Sequence, residues 1–461
     1  LSLPSRNLGL SGRFTYGYDN RYLLEYNFGF NGSERFAANH RFGFFPSIGG
    51  GYIVSNEKFF APLANTVQQL KFRFTYGLVG NDQIGNSTDR FFYLSDVNLN
   101  GGAAGYFGTL FNYSRPTVAI NRYENKEITW ELSRQTNLGM DLIIFKDLTV
   151  TVDAYRQLRS NILMVRSTIP SSMGLKADIS ANSGKASSKG IDLMLNYTKT
   201  FEHSLWLQTR GTLTLAKSKL LVNEEPQYAE NNKHLSKVGN SLGQIYGLVA
   251  EKLFVDDAEV SNSPVQYGRI MAGDIKYRDV NGDGTISNAD YVPIGFPTTP
   301  EMIYGLLFSV GYKNFDISAA FQGSGRSSFI INSANTTPFY INGGNQNGLL
   351  KAIADDHWSE DNRNSYAFWP RLNNTISENN TQTSSWWLRN GSFLRLKTAE
   401  IGYNFSEHLL KKFHLSTGRI YINGQNLATI SAFKIWDPEM GDSGLGYPIQ
   451  RVFNTGLSVG F

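Results

Sequence analysis

The chain has 461 residues, enough to bury a large core or enclose a large lumen. Lys and Arg total 43 against 39 Asp and Glu, and the resulting charge of +4 is too balanced for a nucleic-acid binder. There is no Cys, which excludes disulfides and thiolate chemistry, and no apolar run of about 18 residues, which excludes a transmembrane helix.

Alternation begins at once. Leu8, Leu10, Phe14, Tyr16 and Tyr18 alternate with Gly9, Ser11, Arg13, Thr15 and Gly17. Tyr22, Leu24, Tyr26, Phe28 and Phe30 continue the pattern, then Leu70, Phe72, Phe74, Tyr76 and Leu78. Ile191, Leu193, Leu195 and Tyr197 carry it through the middle, and Tyr304, Leu306, Phe308, Val310 and Tyr312 after it. The chain ends on Phe453, Thr455, Leu457, Val459 and Phe461, interleaved with Asn454, Gly456, Ser458 and Gly460. A strand puts successive side chains on opposite faces, so one face wants an apolar medium and the other water. Segments of about ten residues with aromatics near their ends fit a membrane β-barrel. A soluble sandwich uses shorter strands.

The pattern predicts thirteen strands near 7–18, 21–31, 41–55, 70–80, 128–145, 148–157, 188–200, 205–218, 302–313, 315–322, 393–405, 416–424 and 451–461. Short connectors alternate with the long loops 81–127, 158–187, 219–301, 323–392 and 425–450; only 32–40 is short where a long loop is due. Outer-membrane barrels keep periplasmic turns short and extracellular loops long. The long loops are therefore expected outside and Phe461 at the periplasmic face. Counting back, the first strand starts outside. A complete single-chain bacterial barrel has an even strand count, so an N-terminal part is expected to be missing.

Two constellations stand out in the long loops. Asp279, Asn281, Asp283, Thr285, Ser287 and Asp290 occupy positions 1, 3, 5, 7, 9 and 12 of a calcium loop, with Gly284 at position 6. Asp290 stands where Glu is usual, and no strong amphipathic helix flanks the loop. A structural Ca²⁺ that staples loop 219–301 is expected, the alternative being an Asn-Gly/Asp-Gly turn without metal. Within 323–392 lie Trp358, Tyr366, Phe368, Trp369, Trp386 and Trp387, beside Asp355, Asp356, Glu360 and Asp361. Trp358, Tyr366, Trp369, Trp386 and Trp387 are candidates for substrate or partner contact, because flat rings suit sugar faces. Loop packing against a partner that lids the barrel, or girdle anchoring of Trp386 and Trp387, is the alternative. Enzymatic readings fail. His40, His203, His234, His357, His408 and His414 are scattered without zinc spacing, and Gly49–Gly51 lies in a strand rather than before a helix.

Several stretches resemble the SusC/RagA family of TonB-dependent outer-membrane transporters. They are Arg41–Tyr52 with Ser55–Phe59, Leu70–Asn81, Thr129–Glu131 with Thr136–Asp141, and Ser188–Asp192. The end is the fullest match: Trp387–Lys397, Gly402-Tyr403, Asn423–Leu427, Asp437–Glu439, Tyr447-Pro448 and the closing Phe461. The resemblance implies a 22-stranded plugged barrel in a Gram-negative, Bacteroidetes-like outer membrane, about twice this length. The thirteen strands would be its C-terminal part, without the plug domain. It also implies a SusD-like surface lipoprotein, energy from the TonB complex through the missing N-terminal part, and import of glycan oligosaccharides or peptides. The long loops 81–127, 219–301 and 323–392 are expected to dock the lipoprotein. A passive porin-type channel and a structural or adhesive surface barrel are the alternatives.

Overall fold

Alternation of apolar with small or polar residues dictates extended backbone, and extended backbone needs a hydrogen-bonded neighbour on each side. The computed structural model describes residues 7–85, 91–342, 345–442 and 444–461. In it, the alternating segments form one antiparallel sheet of thirteen strands paired in chain order. We number them β1 (Asn7–Tyr18), β2 (Tyr22–Ser33), β3 (Phe42–Ile53), β4 (Val67–Asn81), β5 (Glu131–Ile144), β6 (Leu148–Val165) and β7 (Ser180–Thr200). There follow β8 (Leu205–Val222), β9 (Met302–Tyr312), β10 (Phe315–Gly325), β11 (Phe393–Asn404), β12 (Thr417–Ser431) and β13 (Val452–Gly460). The sheet is a partial barrel wall: β1 and β13 stand at its two edges rather than pairing with each other. No helix among the described residues is long and apolar enough to cross a membrane.

Register turns the separate alternations into one surface, because residues paired across antiparallel strands share a face. A single rung can be followed from β2 to β10: Tyr22, Tyr52, Phe72, Met140, Val152, Leu193, Leu213, Tyr304 and Gly323. Every apolar set named from the sequence falls on this face. Its side chains stay exposed, Phe14 at 66%, Leu457 at 63% and Phe453 at 71%.

The connections at one end of the wall are tight. Asp19-Asn20, Phe145-Lys146 and His203-Ser204 turn in the left-handed region. The longer links at that end hold 3₁₀ turns over residues 54–63 and a short helix, Glu407–Lys412. At the other end stand the long connections.

The strands outrun the alternation at that end. β6 reaches Val165 and β7 starts at Ser180, so the loop expected over 158–187 shrinks to 166–179. β8 likewise reaches Val222 and β12 reaches Ser431, where ends at 218 and 424 were expected. Pairing continues there, Leu158 against Ser187 and Ser187 against Lys219. The apolar phase stops where one face no longer needs an apolar medium, while backbone hydrogen bonding does not depend on side-chain polarity.

Candidate functional site

Two regions position polar and aromatic groups: the second face of the wall, and a cap built from the long connections.

On the polar face, charged residues sit in mid-strand and pair across it. Arg73 on β4 donates through Nε to Asp141 Oδ2 at 2.9 Å and through Nη2 to Asp153 Oδ2 at 3.0 Å. Asn137 donates to the other Asp153 oxygen at 2.8 Å. Gly139 makes this possible: a Cβ there would lie 2.6 Å from both Arg73 Cζ and Asp153 Oδ1. The device recurs on the far side of the wall. Arg419 donates to Asp316 at 2.5 Å and Glu400 at 2.8 Å, and a Cβ on Gly402 would lie 2.2 Å from its Nη2. Asn423 donates to Glu400 at 3.1 Å, and Asn454 on β13 donates to Asn423 at 3.1 Å. These charge-assisted pairs fix the polar face as a rigid, hydrophilic lining. The sequence reading did not single them out. The available signal was Arg or Asp in the polar phase at mid-strand, with a small residue two or three positions from it.

The cap takes its substance from residues 223–301, 326–392 and 432–451. Short ribbons weave it: Ile245–Gly247 with Val292–Ile294, Ala250–Leu253 with Ile275–Tyr277, and Ser328–Ile330 with Leu388–Asn390. Leu248, Leu253, Ile275, Tyr277, Ile331, Ile353, Trp369, Trp387 and Phe433 form one buried core. A smaller core of Phe36, Ile84, Ile128 and Trp130 lies at the base of residues 82–130. Several buried polar groups in the cap are paired, whereas the Trp358 and Trp386 indole N–H groups have no partner among the described residues. Asp274 is fully buried and accepts from Arg371 and Asn380, each at 2.8 Å. Asn379, also fully buried, donates to the Ile275 carbonyl at 2.7 Å. Glu259 accepts from Lys276 at 2.9 Å and lies 3.0 Å from Lys252. Burial pushes its carboxyl up, but the Lys276, Val255 N–H and Lys252 hydrogen bonds outweigh that and hold it down at about 2. Arg395, almost fully buried at the top of β11, ties cap to wall through Asp437 at 2.6 Å and Glu439 at 2.9 Å.

The cap corrects the aromatic reading. Trp358, Trp369 and Trp387 are 4%, 5% and 1% exposed. The Trp369 and Trp387 rings pack 4.7 Å apart, and Trp387 donates to the Asn380 carbonyl at 2.7 Å. Gly273, at φ +83°, seats Trp358: a Cβ there would meet the indole at 2.3 Å. These three indoles pack into the buried core where three loops converge. Trp386 is half-buried beside the same core. Tyr366 alone of the five stands out in solvent, at 71% exposure.

The loop Asp279–Asp290 folds as a tight acidic turn. Asp279 accepts from the Gly282 and Gly284 N–H groups, each at 2.7 Å. Asn281 and Asp283 each accept from the N–H two residues on, at 3.0 and 2.8 Å. Gly282 and Gly284 have φ of +76° and +82°, and a Cβ on either would meet nothing. Asp290 is fully buried and accepts from the Val280, Asn281 and Ser287 N–H groups. Ile286, buried beneath, donates its N–H to the Val265 carbonyl and anchors the turn to the cap. Among the described residues no three His or acidic side chains converge as a metal cluster. The oxygen-only donor set still suits a hard cation.

Comparison with known proteins places this architecture. Residues 3–427 match the family described as TonB dependent receptor-like, beta-barrel. The chain is 27% identical over 470 residues to TonB-dependent receptor SusC of Bacteroides thetaiotaomicron, covering 98% of this chain and 43% of that protein. It is 26% identical over 481 residues to TonB-dependent receptor P3 of Formosa agariphila, covering 98% of this chain and 45% of that one. The chain thus spans less than half the length of these curated relatives. Among solved structures, the RagAB peptide transporter shares the fold, with a TM-score of 0.74 at 20% identity over 98% of this chain and 47% of that one. A two-faced wall of strands paired in chain order, matched almost throughout by the family model, is thereby explained: the chain belongs to the TonB-dependent receptor-like β-barrel family of the outer membrane.

Proposed function

We propose that this chain is the wall and outer cap of a TonB-dependent importer of large solutes, glycan oligosaccharides or peptides, acting with a SusD-like surface lipoprotein. One observation carries the reading: an apolar-backed wall presents a rigid polar face, and one end of it is roofed by a folded cap. A polar face lined with paired charges wets a lumen, and an apolar back is the lipid-facing side of a barrel. In this reading the cap end is extracellular and the tight turns periplasmic, an orientation supported by the short periplasmic turns and long outer loops of outer-membrane barrels. The exposed Tyr366 and the half-buried Trp386 are the aromatic contacts left for lipoprotein or solute. RagAB is described as a peptide transporter, and SusC as a TonB-dependent receptor, which supports the class of cargo and its energisation.

The decisive experiment is uptake by cells producing the full-length protein, with fluorescent oligosaccharides and peptides, with and without a working TonB complex. Uptake that depends on TonB supports the importer. Uptake that persists without it makes the protein a passive porin, and binding without uptake makes it an adhesive surface barrel. Co-purification in mild detergent tests the lipoprotein. Recovery of the barrel alone, with unaltered uptake after deletion of residues 326–392, removes the lid from the proposal.

Calcium belongs to the same proposal. Asp279, Asn281, Asp283, Ser287 and Asp290 would offer side-chain oxygens and Thr285 its carbonyl. Bound there, Ca²⁺ would supply charge neutralisation and cross-bracing of the acidic turn, not catalysis. Metal analysis of the purified protein before and after chelation is the direct test.

A further inference from the structure

The apolar face of β5–β8 changes character over one rung. Leu138, Ala154, Ile191 and Leu215 form an apolar rung. The next towards the cap reads Thr136, Arg156, Lys189, Lys217, and the one beyond it Arg134, Leu158, Ser187, Lys219. All five cations are exposed. Among the described residues, none has a side-chain hydrogen bond or ion pair. The same rung on β4–β1 carries Tyr76, Ile48, Tyr26 and Phe14, so the cations form a patch and not a girdle.

Arg156, Lys189 and Lys217 are direct register partners on three adjacent strands, spaced by about 4.8 Å per strand. Like charges directly opposite one another repel. The other face of these strands solves the problem with Asp141 and Asp153 around Arg73. Here the one carboxylate among the described residues lining the groove, Glu301, is 8% exposed and engaged by Arg326 at 2.9 Å and Ser241 at 3.2 Å. A groove of about 630 Å³ joins the cations to Leu138, Ile191 and Leu215. An anion seated on the cations would rest against that apolar floor.

We propose that this groove binds the phosphorylated headgroup of an outer-leaflet lipid, with Arg156, Lys189 and Lys217 on the phosphate and the apolar rung against its acyl chains. Continuity with the apolar face selects a lipid over free phosphate, because a soluble anion has no use for the floor. The proposal rests on the outer-membrane placement of the wall and on the cap end facing outward, not on solute import, so failed uptake leaves it standing.

The test uses the full-length protein purified from outer membranes and reconstituted in phosphatidylcholine vesicles with lipid A, dephosphorylated lipid A, or neither. Retention is read by native mass spectrometry. The wild type is expected to hold phosphorylated lipid A selectively, and R156Q/K189Q/K217Q to hold it at least about tenfold less, as three lost surface cations imply. R156K/K189R/K217R restores retention. Heat-resistant electrophoretic migration confirms that each variant is folded. Equal retention by the Gln variant overturns the proposal, as does equal retention of dephosphorylated lipid A. Displacement of the lipid by an equal concentration of inorganic phosphate also overturns it, marking a site for soluble anions.

Discussion

In the wall, Phe14, Phe453 and Leu457 face outward and stay exposed; in the cap, Trp369 and Trp387 meet at 4.7 Å with almost no exposure. Both regions are aromatic-rich, yet they answer to different media. The wall relies on lipid to cover its apolar face, and its internal order comes from the hydrogen-bond ladder and the ion pairs of the polar face. The cap stands in water and has to bury its own rings, as any small soluble domain does. The two regions are joined where Arg395 meets Asp437 and Glu439, and where the end of β8 pairs with residues 239–242.

The largest expected effect lies in the cap. Trp387→Ala should cost about 3–5 kcal/mol, as for other buried aromatic truncations. Limited proteolysis should then cut within residues 223–301 and 326–392 while the wall keeps its heat-resistant migration. Loss of both together would show that wall and cap are one cooperative unit. Next is the wall itself. Leu457→Arg should cost roughly 2–4 kcal/mol in the bilayer and reduce the folded fraction recovered from outer membranes. Asn454→Arg, on the opposite face beside Asn423, should leave recovery near wild type. Equal losses would mean that the faces are reversed.

Gly402→Ala tests the polar lining. Its Cβ would displace Arg419 from Asp316 and Glu400, at a cost of about 1–3 kcal/mol for charged groups left underpaired, read as a lower melting temperature. A variant as stable as wild type would show that the guanidinium finds another seat. Calcium should act on the cap alone. With a Kd on the order of 10⁻⁴ to 10⁻³ M, calcium at about 1 mM should add roughly 0.4–1.4 kcal/mol to cap stability. Chelation should remove that gain, and Asp279→Ala should abolish the response. A cap indifferent to calcium would leave the turn held by its own hydrogen bonds.

The smallest effect is in pH. Glu259 is held at about 2 in the folded cap against an ordinary 4.5. Its contribution is therefore complete above about 4.5 and fades as pH falls towards 2. Protease resistance of the cap should decline over that window, and Glu259→Gln should flatten the decline. An unchanged profile in the variant would assign the acid sensitivity to other carboxylates.

Strand existence and facing were legible from residue order alone. Leu8 to Tyr18 and Phe453 to Val459 alternate with only Gly12 and Thr455 out of character, and a period of two has one structural solution. Strand ends were less legible. At Leu158 and Ser187 the side chains stop alternating between media while the backbone goes on pairing. The acidic loop was visible as spacing, and the structure adds that Asp290 is buried and capped by backbone N–H groups. The aromatic cluster was visible as composition, but composition has no inside or outside. Trp358 and Tyr366 are eight positions apart in one loop, and only the convergence of three loops makes the first core and the second surface.

By itself the sequence determined the class of fold, the number of wall strands and the two faces of those that alternate, because these follow from local periodicity and need only nearest neighbours. The tertiary structure decided what depends on distant partners. It brought Arg73 to Asp153 and Arg419 to Asp316, buried three indoles in the cap, and set Arg156, Lys189 and Lys217 side by side. Such residues lie tens of positions apart in the chain. Their energies arise only when strand register and loop closure bring the charges and rings within a few ångströms, where Coulomb attraction, repulsion and dispersion become large enough to matter.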